Sequence, residues 1–219
     1  MTYRLAIGNK NTSSWSLRPW LAMRHAGLPF SEVNINLRDA DAKAQILAKS
    51  PSGKVPALLA GDLAIWDSLA ILEYLADAHP EISIWPKSRE ARAHARSVSA
   101  EMHSGFQPLR QDCPMDFLAR APRTALAEEV ATDVRRIVGL WLDCRRQFGQ
   151  GGPFLFGAFS AADAMFAPVA SRFRTYVENL GPYGDDGTAQ AYVGALFALP
   201  AMTAWENGAR AEVAAQGQS

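Results

Sequence analysis

Three serines lie close together near the N-terminus, at Ser13, Ser14 and Ser16. The apolar run Tyr3–Gly8 before them is typical of a strand, and a helical pattern over 17–27 follows them. The hydroxyls are therefore predicted in a strand-to-helix loop, where open backbone N–H groups and the helix dipole attract anions. The same residues also fit simple helix capping, with Ser16 as the N-cap.

Two further pairs of consecutive residues lie where a binding site could form, one at the start of a predicted strand and one at the start of a predicted helix. Val55-Pro56 opens a predicted β-hairpin that turns at 60–62. A proline cannot donate to a strand ladder, so Pro56 belongs at a strand start or edge, and a cis Pro56 would leave the Val55 backbone open to a ligand. Asp67-Ser68 precedes a helical pattern, so this pair either caps a helix or holds a ligand at the helix N-terminus.

The elements that must position these residues alternate in type over the first 80 positions. The segment 30–37 alternates apolar and polar residues like a half-buried strand, and a short helix is predicted over 42–49. Two strands joined by a helix predict a parallel βαβ unit, to which the hairpin adds an antiparallel edge. The pattern therefore indicates a small α/β layer.

The remainder of the chain has the pattern of helices. Apolar stripes predict helices over 91–106, 126–148, 189–198 and 201–214. Ser160 and Asp163 have capping-box spacing before the uncharged run 164–170, which predicts a buried central helix. We therefore expect domains at 1–80 and 89–219, a linker at 81–88, and a frayed terminus at 216–219.

Composition narrows the function classes. The chain has 219 residues, is 48% hydrophobic, and balances 22 Lys and Arg against 22 Asp and Glu. This neutral balance favours neither nucleic acid nor an anionic membrane as a partner. Since no apolar run approaches the roughly 20 residues of a membrane span, and no signal peptide is visible, we expect a cytoplasmic protein. Cys113 and Cys144 form no metal-binding pattern, so no metal is expected.

Taken in order, these motifs resemble the cytosolic glutathione S-transferase family, in its serine-type, zeta-like bacterial branch. The resemblance covers nearly the whole chain, from the serine loop with Arg18, through Val55-Pro56 and Asp67-Ser68, to 105–109 and the 160–163 capping box. It implies a thioredoxin-like α/β N-terminal domain, an all-α C-terminal domain and a homodimer. It also implies glutathione as co-substrate.

The resemblance assigns roles to individual residues. Ser13, or alternatively Ser14, would donate a hydrogen bond to the glutathione thiolate. The expected glutathione-binding residues are Lys54, Val55, Pro56, Asp67, Ser68 and Gln107. The electrophile pocket is expected between the domains, with Trp15 and Arg174 as candidate lining residues. The four histidines show no partner pattern and are expected at the surface or in packed positions.

The main functional expectation is a transferase that conjugates the glutathione thiolate to a small hydrophobic electrophile, as in detoxification. Trp15 stands where zeta enzymes usually carry a cysteine, and neither Arg172 nor Arg174 matches the spacing of their carboxylate-binding arginine. Both departures argue against the zeta isomerase activity, which converts maleylacetoacetate to fumarylacetoacetate. That isomerase and a non-catalytic glutathione-binding or partner-binding protein remain the alternatives. The missing loop cysteine disfavours thiol–disulfide chemistry.

Overall fold

The N-terminal part is a mixed four-stranded sheet with helices packed on it, seen in a computed structural model that describes residues 2–217. The strands follow the spatial order β2-β1-β3-β4. They and their helices are β1 Tyr3–Ile7, α1 Ser14–His25, β2 Phe30–Asn34, α2 Ala42–Leu47, β3 Ala57–Ala60, β4 Leu63–Trp66 and α3 Ser68–Ala78. β1 pairs parallel with β2 and antiparallel with β3, which pairs antiparallel with β4. The predicted βαβ unit and hairpin are therefore confirmed.

The C-terminal part is helical. Its elements are α4 Arg89–Ser104, α5 Gln107–Asp112, α6 Glu128–Phe148, α7 Ala161–Tyr176, the short 3-10 turn Gly181–Tyr183, α8 Thr188–Phe197 and α9 Pro200–Gln216. The predicted linker at 81–88 lies between α3 and α4, and the domain division itself stays a prediction. Of the predicted frayed terminus, residues 218 and 219 lie outside the described part of the chain.

The central helix α7 is buried along almost its whole length, as its uncharged sequence predicts. The capping box between Ser160 and Asp163 is present at its N-terminus. The Asp163 carboxylate is fully buried and accepts from the backbone N–H groups of Leu155 and Ser160 and from the hydroxyls of Ser160 and Tyr192. Burial raises the pKa of Asp163 to about 6. These four hydrogen bonds tie the start of α7 to its neighbours.

The two parts share one apolar core. Helix α1 packs against both α7 and α9. The Trp20 and Trp205 rings meet with centroids 5.0 Å apart, and both side chains are almost fully buried. At this junction the Lys10 ammonium pairs with Glu32 at 2.5 Å and with Glu212 at 3.7 Å. These contacts join α1 and the residue before the serine loop, Lys10, to the helical part.

Candidate functional site

The serine loop is arranged differently from the capping prediction. Helix α1 begins at Ser14, so Ser16 lies inside the helix and the prediction that it is the N-cap is wrong. Ser16 is fully buried, its Oγ accepts from the Gly8 N–H at 3.1 Å, and it lies 2.7 Å from the Ser13 Oγ. Ser16 therefore pairs with the strand-end backbone, and Ser13 takes the N-cap position without a side-chain capping bond.

A cleft of about 600 Å³ lies beside the start of α3, and we call it the proline cleft. Its volume falls in the range of small-molecule sites. The peptide bond between Val55 and Pro56 is cis. Five predicted glutathione-binding residues line the cleft together with four others, and the whole set is Trp15, Ser52, Lys54, Val55, Pro56, Trp66, Asp67, Ser68 and His103. The fold thus brings together motifs that are distant in sequence.

Asp67 occupies a specialised backbone position at the cleft. Its φ of 76° and ψ of 132° form a backbone conformation that residues other than glycine rarely adopt. One carboxylate oxygen accepts from the N–H groups of Leu69 at 2.9 Å and Ala70 at 3.3 Å, so Asp67 caps α3. The other oxygen lies 3.0 Å from the His103 Nε2 and is still partly exposed. Asp67 therefore caps the helix with one oxygen and offers the other to the cleft.

His103 is a cleft residue that the sequence patterns did not reveal. It projects from α4 against Asp67, and its ring meets the Trp15 ring edge-on at 5.2 Å. Burial, helped by the charges of Arg18 and Arg110, lowers the pKa of His103 below its ordinary value, although Asp67 acts in the opposite direction. A contact between the start of one helix and the end of another leaves no periodic signal in the sequence.

A second cleft of about 440 Å³ lies on the other side of Trp15, and we call it the arginine cleft. Its lining residues are Thr12, Ser14, Trp15, Arg110, Pro114, Met115, Asp116, Arg172 and Tyr176. Trp15 lines both clefts, so the two clefts adjoin at this residue. Ser14 lines this second cleft, whereas Ser13 is buried and lines neither cleft.

The two arginines of this cleft are held by backbone carbonyl groups. Arg110 donates to Gly105, Met102 and His103 carbonyls, and its guanidinium lies 4.9 Å from the Trp15 ring centroid. Arg172 donates to the carbonyls of Cys113 at 2.9 Å and Pro168 at 3.2 Å. Burial and then the charge of Arg110 lower the pKa of Arg172 to about 10, which leaves it cationic at neutral pH. Within residues 2–217 neither arginine has a carboxylate at ion-pair distance, although Asp116 lines the same cleft and the charge of Asp133 acts on Arg110.

Two predicted site residues lie elsewhere. Gln107 is exposed as the first residue of α5 and is not among the lining residues of either cleft. Arg174, which was expected to line the electrophile pocket, is not among the lining residues of either cleft. The Arg174 Nη2 donates to the Phe117 carbonyl at 2.8 Å, and its guanidinium lies 3.6 Å from the Phe197 ring centroid. These contacts fix Arg174 as a packing residue.

The two cysteines lie in the apolar core, and neither lines the proline cleft or the arginine cleft. Cys113 and Cys144 are free, fully buried thiols, and burial raises the pKa of both, that of Cys144 to about 12. Within residues 2–217, no group of three or more His, Cys, Asp or Glu side chains is placed to hold a metal ion. Over the same residues, no helix combines the length and apolar character needed to cross a bilayer.

The architecture defines the class of protein as a thioredoxin-like domain joined to an all-helical domain. A family model described as "Glutathione S-transferase, N-terminal domain" matches residues 12–78, and one described as "Glutathione S-transferase, C-terminal domain" matches residues 124–206. Together they match more than two thirds of the chain. The chain therefore belongs to the glutathione S-transferase family.

Several curated relatives are zeta-like. The chain is 36% identical to a probable maleylacetoacetate isomerase of Caenorhabditis elegans over 100 residues, which is 46% of each protein, so this match spans about half of the relative. It is 28% identical to the maleylacetoacetate isomerase of Rattus norvegicus over 80% of this chain and 79% of the relative. Identity to glutathione S-transferase Z2 of Arabidopsis thaliana is 26% over 78% of each chain. These relatives are enzymes of the family.

Solved structures agree on the fold. A glutathione transferase homologue from Burkholderia with bound glutathione superposes with a TM-score of 0.69 at 22% identity and covers 96% of this chain and 98% of its own. An epsilon-class glutathione S-transferase from the housefly Musca domestica gives a TM-score of 0.71 at 21% identity, over 97% of this chain and 95% of its own. The predicted fold class is confirmed.

Proposed function

We propose that the chain is a glutathione-dependent cis–trans isomerase of a small unsaturated dicarboxylate, as in the zeta class. The observation that carries this proposal is the juxtaposition of the two clefts across Trp15. One cleft suits a peptide with charged ends, and the other presents Arg110 and Arg172, neither of which forms an ion pair within the described residues, beside a single lining carboxylate, Asp116. The rat relative is named a maleylacetoacetate isomerase and the nematode relative a probable one, which supports the same chemistry.

Glutathione is expected to occupy the proline cleft. Its α-ammonium would meet the carboxylate oxygen of Asp67 that faces His103, and its α-carboxylate would meet Ser68 and the N-terminus of α3. The backbone beside the cis bond at Val55 would pair with the cysteinyl unit, and Lys54 lines the same cleft for the glycyl carboxylate. The lining residues therefore match both charged ends of the tripeptide.

The thiol must be ionised to react. A free thiol has a pKa of about 8.5, and lowering that value by about two units requires roughly 2.7 kcal/mol of extra stabilisation of the anion. A helix N-terminus supplies about 0.3–1 kcal/mol, up to about 2 when partly buried, and one hydrogen bond to a charged group adds roughly 1.5–3 kcal/mol. The start of α1 with one serine hydroxyl would supply both contributions.

Ser13 and Ser14 both remain candidates for that hydroxyl. A buried hydroxyl proton needs an acceptor, and the Ser16 Oγ already accepts from Gly8. Ser16 is therefore expected to donate to Ser13 across their 2.7 Å contact, which would leave the Ser13 proton free for the thiolate. Ser14 instead has the advantage of position, because it lines the arginine cleft. Single alanine variants followed by a thiolate absorbance titration of bound glutathione separate the two.

The arginine cleft would hold the acidic substrate. A thiol that adds reversibly across the cis double bond allows rotation about the resulting single bond and is then released unchanged. Arg110 and Arg172 would bind carboxylates of the substrate and keep its alkene beside Trp15, at the boundary with the proline cleft. Their own hydrogen bonds to backbone carbonyls hold both guanidinium groups in place.

Conjugation to a small electrophile is the second candidate function. Trp15 favours it, because a large apolar indole replaces the cysteine usual in zeta enzymes and suits a hydrophobic substrate. The two functions differ in the fate of glutathione, which an isomerase returns and a conjugating transferase consumes. Titration of free thiol during turnover therefore decides between them.

The experiment for the proposal compares Arg172→Gln with Arg135→Gln, a control in which the arginine lies on the exposed surface of α6 and pairs with Glu128. Losing one charge-assisted hydrogen bond of roughly 1.5–3 kcal/mol should lower kcat/KM for maleylacetoacetate about 10- to 150-fold in the first variant. The control should match the wild type. Equal kcat/KM values for Arg172→Gln and the control would contradict the proposal that the arginine cleft binds the substrate. We further propose a cytoplasmic homodimer, on the strength of the family resemblance.

A further inference from the structure

Arg18 is a fully buried cation beside the proline cleft with few partners. Its side chain has 0% exposure, and its described hydrogen bond runs from Nη1 to the Ser68 Oγ at 3.3 Å. Nε and Nη2 are buried and donate to no group among residues 2–217. One face of the guanidinium packs on the Trp15 ring, with 4.1 Å between Cζ and the ring centroid. A buried guanidinium normally has its N–H groups satisfied and its charge paired.

The electrostatic surroundings of Arg18 make this lack of partners more significant. No carboxylate in the described part of the chain lies within ion-pair distance of Arg18. Burial, followed by the charges of Arg110 and Arg172, lowers its pKa, while Asp67 alone acts in the other direction. The charges of Arg110 and Arg172 thus oppose the charge of Arg18, and Asp67 is the carboxylate that acts in its favour. An anion bound nearby would offset this repulsion.

Ser68 connects this buried charge to the cleft. The Ser68 Oγ accepts from Arg18, so its own proton is free to donate, and the residue both lines the cleft and begins the 11-residue helix α3. We propose that Arg18 is a positioning residue which, through Ser68, orients and polarises the subsite for the α-carboxylate of the γ-glutamyl group of glutathione. This inference rests on the proposed binding of glutathione in the proline cleft.

The experiment compares two ligands on the full-length protein by calorimetry. One ligand is glutathione, and the other is 4-aminobutanoyl-cysteinylglycine, which keeps the ammonium and lacks only the α-carboxylate. Wild-type protein should prefer glutathione by roughly 10- to 100-fold, the range for one charge-assisted hydrogen bond. Arg18→Met should reduce that preference to about threefold or less, and Arg18→Lys should restore part of it because the charge returns.

Arg24→Met is the matched control. Arg24 lies on the same helix and also packs on an indole, with 5.5 Å between its Cζ and the Trp20 ring centroid, but it is exposed, and the hydrogen bond to Ser68 comes from Arg18. The control should keep the wild-type ratio of the two affinities. A merely structural role for Arg18 would weaken both ligands equally and leave that ratio unchanged.

The possible failures are distinguishable. If wild-type protein does not bind glutathione at millimolar concentration, the proposed function fails and the inference fails with it. If the wild type discriminates between the ligands and Arg18→Met discriminates equally well, the role of Arg18 alone is overturned. Should Arg18→Met fail to fold, Ser68→Ala removes the same hydrogen bond between Arg18 and the Ser68 Oγ. A wild-type ratio in Ser68→Ala would then overturn the inference.

Discussion

Replacing Asp67 with asparagine separates the structural role of this residue from its expected role in binding. Asparagine is as good an N-cap as aspartate and also tolerates positive φ, so the capping bonds to Leu69 and Ala70 should persist. The change removes the charge that faces His103. That pair is partly exposed, so its loss should lower the free energy of unfolding by about 0–1 kcal/mol.

The effect of Asp67→Asn on glutathione should be much larger. A hydrogen bond between an ammonium and a carboxylate contributes roughly 1.5–3 kcal/mol, so losing the charge should raise the Kd of glutathione about 10- to 150-fold. Asp67→Ala should raise the Kd similarly and also lower the free energy of unfolding by about 0.5–2 kcal/mol, because the cap is lost. Isothermal titration calorimetry and urea unfolding measure the two quantities separately.

Asp62→Asn provides the control, since Asp62 is an exposed carboxylate in the nearby hairpin turn. It should leave both the Kd and the unfolding free energy at wild-type values. The reasoning is refuted if Asp67→Asn binds glutathione within twofold of the wild type. It is also refuted if the asparagine and alanine variants are equally destabilised, because the charge would then carry the structural role.

Three further predictions concern stability, pH and thiol reactivity. Asp163→Ala leaves four buried donors unpaired and should lower the free energy of unfolding by about 3–5 kcal/mol in urea titrations. The pKa of His103 is lowered, so it takes up a proton only as the pH falls below about 6.5, where it would compete with the glutathione ammonium for Asp67. The Kd should therefore stay constant above about pH 6.5 and rise as the pH falls from there towards 5, by at most about tenfold per pH unit, and His103→Gln should flatten that profile. Cys113 and Cys144, buried with raised pKa values, should react with a disulfide reagent only after unfolding in guanidinium, and rapid labelling of the native protein would contradict their burial.

Hydrophobic periodicity, turn residues and capping residues predicted the helices and strands of this fold, because tertiary contacts did not change the conformation that these local signals favour. The turn at 60–62, the start of α3 at Asp67-Ser68 and the capping box at Ser160 all follow from short-range chemistry. Ser16 shows the limit of such rules. A serine near a helix start predicts an N-cap. Here the Ser16 hydroxyl instead accepts a hydrogen bond from the Gly8 N–H, which is a tertiary contact that local rules do not include.

The candidate site was predicted where consecutive residues form it and missed where the fold assembles it. Val55-Pro56 and Asp67-Ser68 are each a pair of consecutive residues, so each pair is visible in the sequence as a short motif. His103, Arg110 and Arg172 come from three helices, and their convergence around Trp15 depends on how those helices pack. The same packing turns Arg174 away towards Phe117 although it is only two positions from Arg172.

The most direct test of the proposed function is turnover of maleylacetoacetate with glutathione at one tenth of the substrate concentration. Proton NMR would follow the cis and trans alkene signals, while a thiol reagent would measure free glutathione. We predict complete conversion of the cis substrate to the trans product with the thiol undiminished. Loss of the cis substrate that stops when glutathione is consumed would identify a conjugating transferase. Loss of the cis substrate no faster than without enzyme would contradict the proposed function altogether.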